Sequence, residues 1–271
     1  MEKLTTQVIE RMPYTDFVGF INQWNVLPGA FSTLSKWKVY SDLNEKSRIL
    51  EIACTTGFSS RELACMSKCC GKAFDISEKS IEAAIENKKK YAPEIKIDYF
   101  TEDGYKFKST EKFTHIVIGA SLKFFPNLEE MFKICLDNLE DGGFLLASPF
   151  YIVSPIPKKL LIEFKKTFGI MPTTEQYKEI MKIYKGMEIL FEERNNIEQE
   201  TEEELKHYCE STISRVCQEK NIIGKELYEA LYTKLMGIKI MSNKLRPYQR
   251  YSVLVLRYRK KIYPHRYVEL F

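Results

Sequence analysis

Four short groups of polar or small residues recur along the chain, and each group directly follows an apolar run. They are Glu51-Ile-Ala-Cys-Thr-Thr-Gly57, Asp75, Glu102-Asp-Gly104 and Gly119-Ala-Ser121. Ligands of a parallel sheet bind at the carboxyl ends of its strands, so these groups should share one site. Asp75 lies 24 residues after Glu51, where a carboxylate can accept both hydroxyls of a ribose. The spacing therefore predicts a site for a nucleoside.

The turn after the first apolar run indicates whether that nucleoside carries phosphates. A dinucleotide site uses G-x-G-x-x-G, which lets a pyrophosphate approach the main chain at a helix N-terminus. The stretch from Ala53 to Gly57 supplies one glycine where three are expected, and Thr55 adds bulk. We therefore expect a compact ligand without phosphate that carries an amino acid tail, a description that S-adenosylmethionine fits.

The apolar runs alternate with amphipathic stretches, which is typical of βα units in a parallel sheet. Five strands are predicted at 48–53, 72–75, 95–100, 113–119 and 144–148, and two more near 187–197 and 251–258. Ser59 with Glu62 has the spacing of a capping box, Ser77 is a candidate N-cap, and 141–143 reads as a turn. The predicted fold is α/β, a doubly wound, Rossmann-like and mostly parallel sheet of seven strands.

Three segments with different roles are expected along the chain. Residues 1–45 form a helical N-terminal lid, 46–150 a ligand-binding Rossmann-like core, and 151–271 complete the sheet. Three prolines between 149 and 157 interrupt the βα repeat, and a helical insertion at about 198–246 precedes the last strand. We expect this insertion to cover the substrate.

Composition limits the classes of protein to which the chain can belong. It has 271 residues, of which 44% are hydrophobic and 29% charged, so it is neither disordered nor fibrous. A net charge of +4 is too small to make nucleic acid an obligatory partner. The uncharged stretch 144–157 is too short to span a bilayer, and no signal-peptide core is present at the N-terminus. We expect a cytoplasmic protein whose seven cysteines are reduced.

The cysteines and one histidine offer other chemistry, which the sequence does not favour. Cys65, Cys69 and Cys70 lack the further ligands that a structural zinc needs, so no metal site is expected. Cys54 is interpreted as an inert small filler of the turn, and His115 as a core or edge residue of its strand.

The motifs together resemble a known family. Leu50 to Ser60, Asp75, Glu102-Asp103, Phe113 to Ser121 and Asp141-Gly-Gly143 are similar, in the right order, to the motifs of class I S-adenosylmethionine-dependent methyltransferases. The likeness covers roughly residues 45–150, and the segment around Tyr14 and Gln23-Trp-Asn25 is similar to the lid of small-molecule members. Thr55 stands where the family usually has glycine, and Thr114 where it often has aspartate.

The resemblance implies a cofactor, S-adenosyl-L-methionine, and a role for each motif. The methionine portion would be lined by Glu51, Ala53, Thr55 and Gly57, and the ribose would be held by Asp75. Ile76 would pack on the adenine, and Glu102, Asp103 and Gly104 would surround its amino group. The reactive methyl would lie beside Gly119, Ala120 and Ser121.

Methyl transfer to an O, N or C nucleophile of a small organic acceptor is the predicted activity. If the acceptor needs a base, the candidates are His207, Tyr14 and Lys123. Alternatives remain open: a nucleotide-dependent oxidoreductase, a non-catalytic protein that binds an adenosyl ligand, and an RNA methyltransferase that uses the basic segment 246–266. The sequence predicts a small-molecule partner and no membrane, does not favour nucleic acid as a partner, and leaves the oligomeric state open.

Overall fold

A computed structural model of the protein describes residues 4–264. Its strands form one sheet, in the chain order β1 (Arg48–Ile52), β2 (Cys70–Asp75), β3 (Lys96–Thr101), β4 (Phe113–Gly119), β5 (Leu139–Ala147), β6 (Phe150–Ile152), β7 (Glu188–Asn196) and β8 (Gln249–Arg257). The first five strands are parallel in the spatial order β3-β2-β1-β4-β5, and β8 runs antiparallel to β5. The predicted doubly wound, mostly parallel sheet is confirmed.

The sheet has one more strand than the seven predicted. The short strand β6 pairs antiparallel with residues 249–251 of β8, while β5 pairs with residues 254–257 of the same strand. Because β7 pairs with β8 as well, β5 and β6 follow one another along one side of β8. Pro149, which has no N–H to donate, separates them.

Residues 141–143 lie inside β5, so the turn predicted there is wrong. The Gly142 N–H donates to the carbonyl of Tyr258 at 2.8 Å, and the Tyr258 N–H donates to the carbonyl of Gly143 at 2.8 Å. This pairing just beyond β8 extends the strand back through the two glycines, although their sequence is typical of a turn.

Ten helices surround the sheet within the described residues. They are α1 (Thr6–Arg11), α2 (Tyr14–Phe20), α3 (Ala30–Tyr40), α4 (Phe58–Ser67), α5 (Glu78–Tyr91), α6 (Leu128–Asn138), α7 (Lys158–Phe168), α8 (Tyr177–Lys182), α9 (Glu202–Glu219) and α10 (Lys225–Leu245). Ser77 caps α5 as predicted, since its side chain accepts the N–H of Ser80. Among the described residues, no helix combines the length and apolar character needed to cross a bilayer.

The capping box predicted at the start of α4 is wrong. The N-cap of α4 is Gly57, in a left-handed conformation, and Ser59 is buried in the first turn. The Ser60 N–H donates instead to the carboxylate of Glu51 at 2.9 Å. A carboxylate from β1 thus satisfies a free N–H at the helix start, and Glu62 binds the neighbouring Arg61 at 3.0 Å.

Three apolar clusters hold the layers together. One sheet face packs on α6 and α8, and the other on α3, α4 and α5. The third cluster joins α1, α2, α7, α9 and α10 with Ile152 and Ile156 after the end of β5. The helices from the N-terminal segment and from the stretch between β7 and β8 therefore form one bundle next to the carboxyl end of the sheet.

Candidate active site

The four groups of residues singled out in the sequence meet at the carboxyl ends of β1 to β4. The Cys54 N–H after β1 donates to the carbonyl of Phe74 in β2 at 3.0 Å. The Glu102 N–H after β3 donates to the carbonyl of Asp75 at 3.0 Å. The Ser121 hydroxyl after β4 lies 3.5 Å from the carbonyl of Ile52. These contacts link all four strand ends into one continuous surface.

Asp75 lies at the centre of this surface and is 5% exposed. One carboxylate oxygen accepts the N–H of Thr55 at 2.9 Å, and the other accepts the N–H of Ser77 at 2.9 Å. Burial raises the pKa of Asp75, although these N–H donors oppose the rise. A carboxylate has about four acceptor positions, so each oxygen keeps one with which to receive a ribose hydroxyl.

The loop between β1 and α4 has an uncommon backbone. Ala53 and Thr55 have φ angles of 58° and 48°, and Gly57 has a φ of 73°. Only at Gly57 is glycine also required by space, because a Cβ there would lie 2.7 Å from the ring of Tyr99. Two residues with side chains thus adopt the left-handed conformation that normally favours glycine.

Glu51 is the second buried carboxylate of the site, at 5% exposure. Burial raises its pKa from 4.5 to about 7, against the opposing hydrogen bonds from Ser60 and Ser59. Its carboxylate is held at the start of α4, beneath the loop. Near neutral pH this position therefore changes charge, unlike an exposed glutamate.

This buried carboxylate predicts a pH dependence of stability. A carboxyl group whose pKa is raised by folding stabilises the fold when protonated, and that contribution is lost as the pH rises from 4.5 through about 7. Over that interval the contribution of Glu51 should fall by roughly 3 kcal/mol. Glu51→Gln should therefore gain unfolding free energy relative to the wild type as the pH rises from 5 to 8, measured by urea denaturation.

The matched control is Glu94→Gln, in the exposed turn before β3. Measured over the same pH range, it separates the loss of a carboxylate at an exposed position from the loss of the buried one. His115, whose pKa burial lowers to about 4, is present in all variants and cancels in the comparison. Parallel curves for Glu51→Gln and the wild type would contradict the assignment.

At the other end of the surface, the structure places an apolar side chain beside a polar loop. Ile76 follows Asp75 directly and is 68% exposed. The Glu102 carboxylate accepts the N–H of Asp103 at 2.9 Å, and the Asp103 carboxylate accepts the N–H of Tyr105 at 3.0 Å. An exposed aliphatic side chain thus lies near two partly exposed carboxylates, which suits a purine ring with an amino group.

The end of β4 lies against the N-terminal segment. Gly119 has a φ of 53°, and a Cβ there would lie 3.6 Å from a methyl of Leu27. The hydroxyl of Thr56, in the loop after β1, donates to the carbonyl of Gln23 at 2.7 Å. Residues 23–27 therefore contact two of the four strand ends, whereas the side chain of Ser121 turns back to the carbonyl of Ile118 at 2.6 Å.

The three residues predicted as bases occupy different surroundings. His207 is exposed on α9, on the side away from Leu205 and Cys209, which are buried. Tyr14 packs edge-on against Phe168 with ring centroids 4.8 Å apart, and burial raises its pKa to about 12. The Lys123 ammonium follows β4 and binds the Glu175 carboxylate at 2.5 Å. Of the three, only Lys123 lies close in the chain to the four strand ends.

Cys54 lies in the loop after β1, but its thiol is not activated for chemistry. All seven cysteines are free, and burial raises the pKa of the Cys54 thiol. Among residues 4–264, no group of three or more histidine, cysteine or acidic side chains is placed to hold a metal ion.

Several residues that hold the site together carried no sequence signal. Asn87 lies in the middle of α5 and donates to the carbonyl of Thr56 at 3.2 Å. Arg61 is 1% exposed, lies within 3.4 Å of the same carbonyl, and stacks 4.0 Å from the ring centre of Trp24. Neither belongs to a motif, and only their partners in space mark them.

Comparisons with known proteins agree with this geometry. A family described as "Methyltransferase domain" matches residues 49–143, which include β1 to β4, α4, α5, α6 and the first part of β5. No curated protein is significantly similar to the chain in sequence.

Solved structures share the fold over most of the chain. The MccD protein is 24% identical, with a TM-score of 0.70 over 87% of this chain and 100% of its own. A SAM-dependent methyltransferase from Geobacter sulfurreducens, in complex with S-adenosyl-L-homocysteine, is 14% identical with a TM-score of 0.68 over 92% and 99%. Phosphoethanolamine N-methyltransferase 2 from Haemonchus contortus is 15% identical, with a TM-score of 0.65 over 96% of this chain and 61% of its own.

At these identities the likeness to solved structures concerns the fold alone. The match to a methyltransferase domain is a second finding, independent of the solved structures. It covers the same strand ends that meet around Asp75. The chain thus carries a methyltransferase domain over residues 49–143, in a fold that it shares with S-adenosylmethionine-dependent methyltransferases.

Proposed function

We propose that this enzyme transfers the methyl group of S-adenosyl-L-methionine to an O, N or C nucleophile of a small organic acceptor. The observation that carries the proposal is the joined set of four strand ends around Asp75, within the matched methyltransferase domain. When bound, the cofactor supplies an activated methyl sulfonium.

The residues present fit such a donor. Asp75 has one acceptor position left on each oxygen for the ribose, and the exposed Ile76 beside it offers a surface for the adenine. The further proposed contacts to the donor are Glu51, Ala53, Thr55, Gly57, Glu102, Asp103, Gly104, Gly119, Ala120 and Ser121. Support for them comes from their positions at the ends of the four parallel strands, where ligands of such sheets bind.

The task of the protein is mainly to align the acceptor and exclude water, because the leaving group is already activated. The bundle of α1, α2, α7, α9 and α10 lies next to the strand ends, in a position suited to covering them. If a base is used, Lys123 is the nearest of the three candidates to β4, but its ammonium is held by Glu175. We therefore propose alignment as the dominant contribution and keep His207 and Tyr14 only as candidates.

A small acceptor is favoured over RNA by two observations. The Haemonchus contortus enzyme of the same fold is in complex with phosphomonomethylethanolamine, a small molecule. In the basic segment, Arg246 binds Glu200 at 2.7 Å, and both Arg257 and Arg259 bind Glu188. These ion pairs offset part of the positive charge that RNA would use, and residues 265 and 266 of that segment lie outside the described residues. The free thiols suit the reducing cytoplasm, which we propose as its location.

Calorimetric titration with S-adenosylhomocysteine, NAD and NADP tests the cofactor. We expect binding of the first ligand only, and binding of NAD or NADP alone would establish the oxidoreductase alternative. Incubation with methyl-labelled S-adenosylmethionine and separate pools of small metabolites and RNA tests the acceptor. Label in the small-molecule pool supports the proposal, label in RNA supports the RNA alternative, and binding without transfer to either pool supports a non-catalytic adenosyl-binding protein.

A further inference from the structure

The loop between β1 and α4, residues 53–57, is called the cofactor loop below. It contains two residues in the left-handed conformation that are not glycine. Ala53 and Thr55, with φ angles of 58° and 48°, stand within three residues of each other. A Cβ in this conformation crowds the following carbonyl, so such residues persist only where surrounding contacts hold them. The loop should relax toward ordinary backbone angles unless both of its sides are fixed.

The contacts on the first side belong to the site already described. The Thr55 N–H donates to Asp75 at 2.9 Å, and the Cys54 N–H donates to β2. The contacts on the second side meet at Thr56, which is completely buried. Its hydroxyl binds the carbonyl of Gln23, and its carbonyl accepts from Asn87 at 3.2 Å and from Arg61 at 3.4 Å.

Asn87 is itself fixed by a reciprocal pair of hydrogen bonds. Its amide donates to the carboxamide oxygen of Asn22 at 2.8 Å, and the amide of Asn22 donates back at 2.9 Å. Asn87 is 1% exposed and Asn22 is partly exposed, so the pair is shielded from solvent on the Asn87 side. The carbonyl of Asn22 and that of Ile21 accept from Arg215 of α9, at 3.2 Å and 2.8 Å.

We propose that the Asn22–Asn87 carboxamide pair positions the cofactor loop: by fixing the carbonyl of Thr56, it holds Ala53 and Thr55 in the left-handed conformation that receives the donor. Glycines would let this loop adopt left-handed angles at little cost. In their absence, the contacts of the pair hold those angles. Because Asn22 follows α2, the loop keeps its shape only while the N-terminal segment is docked on α5. The inference rests on the proposed function for its binding measurement.

A double-variant cycle of Asn87→Ala and Thr55→Gly tests the proposal. Asn87→Ala should weaken S-adenosylhomocysteine binding by about tenfold, the effect of one buried hydrogen bond. Thr55→Gly retains the N–H to Asp75 and removes the Cβ. Its effect on affinity in the wild type is the reference, and in Asn87→Ala the same change should be about fivefold more favourable, because glycine adopts the left-handed conformation at little cost.

Asn138→Ala is the matched control. Asn138 is also a buried asparagine on a helix, but it donates only to Ile134 of its own helix, at 2.8 Å. It should lower the melting temperature with less than about a twofold change in affinity, which isolates positioning from general stability. If Asn87→Ala does not fold, Asn22→Gly removes the same pair while keeping the positive φ of 46° at that residue.

Equal effects of Thr55→Gly in both backgrounds, or wild-type affinity in Asn87→Ala, would overturn the proposal. If the wild type binds no S-adenosylhomocysteine, the proposed function fails, and the cycle is measured by melting temperature alone. Thr55→Gly should then raise the melting temperature less in Asn87→Ala than in the wild type. The loop of Asn87→Ala has already relaxed, so glycine has less backbone strain to remove. Additive melting shifts would refute the inference independently of the cofactor.

Discussion

Asp75→Ala is expected to weaken S-adenosylhomocysteine binding by about 100-fold or more, because the two hydrogen bonds that we propose between ribose hydroxyls and this carboxylate would be lost. The effect is enlarged by the second task of this side chain, since its carboxylate also receives the N–H of Thr55 in the cofactor loop. Titration calorimetry on the folded variant measures the loss.

Asp98→Ala provides the control for a lost acidic side chain. Asp98 is exposed on β3, two strands from the loop, and its removal should leave the affinity within about twofold. If Asp75→Ala binds S-adenosylhomocysteine as tightly as Asp98→Ala does, the ribose is held elsewhere. The proposed placement of the donor would then be wrong.

Gly19→Ala is expected to destabilise the protein by about 3 kcal/mol, which corresponds to a fall in melting temperature of roughly 10 °C. Gly19 lies in α2, and a Cβ there would come within 2.3 Å of the Ser80 main-chain nitrogen in α5. Main-chain atoms in the first turn of a helix cannot yield as a flexible side chain does. The two helices must therefore move apart. The Ser80 hydroxyl also donates to the carbonyl of Thr15 at 3.1 Å, a bond that links the same two helices.

Gly237→Ala is the matched glycine variant, because nothing lies within 4 Å of its added Cβ in the middle of α10. It should raise the stability by up to about 1 kcal/mol, the helix propensity gained on replacing glycine. Thermal unfolding of both variants makes the comparison. Similar melting temperatures for Gly19→Ala and Gly237→Ala would show that α2 and α5 do not pack as closely as described.

The Gly19→Ala variant also tests how the N-terminal segment and the cofactor loop depend on each other. The segment after α2 reaches the loop through Gln23 and Asn22, so a displaced α2 withdraws the contacts that hold Thr56. S-adenosylhomocysteine affinity should therefore fall together with stability in Gly19→Ala, and remain unchanged in Gly237→Ala.

The sequence was sufficient to predict the sheet and the polar ends of its strands. Apolar runs, turn residues and the position of Asp75 are local patterns, and each strand from β1 to β4 was found within about two residues at either end. Because parallel strands bring their carboxyl ends to one edge, the local order of the motifs already implied that they meet.

Only the tertiary structure decided how that edge is held. Glu51 rather than Ser59 satisfies an N–H at the start of α4, and Asn87 pairs with Asn22 across 65 positions of sequence. Periodicity reports which face of an element is apolar but not which distant polar group it meets. The buried hydrogen bonds of the site, and the burial of Tyr14 against Phe168, therefore follow from packing between segments that no local pattern connects.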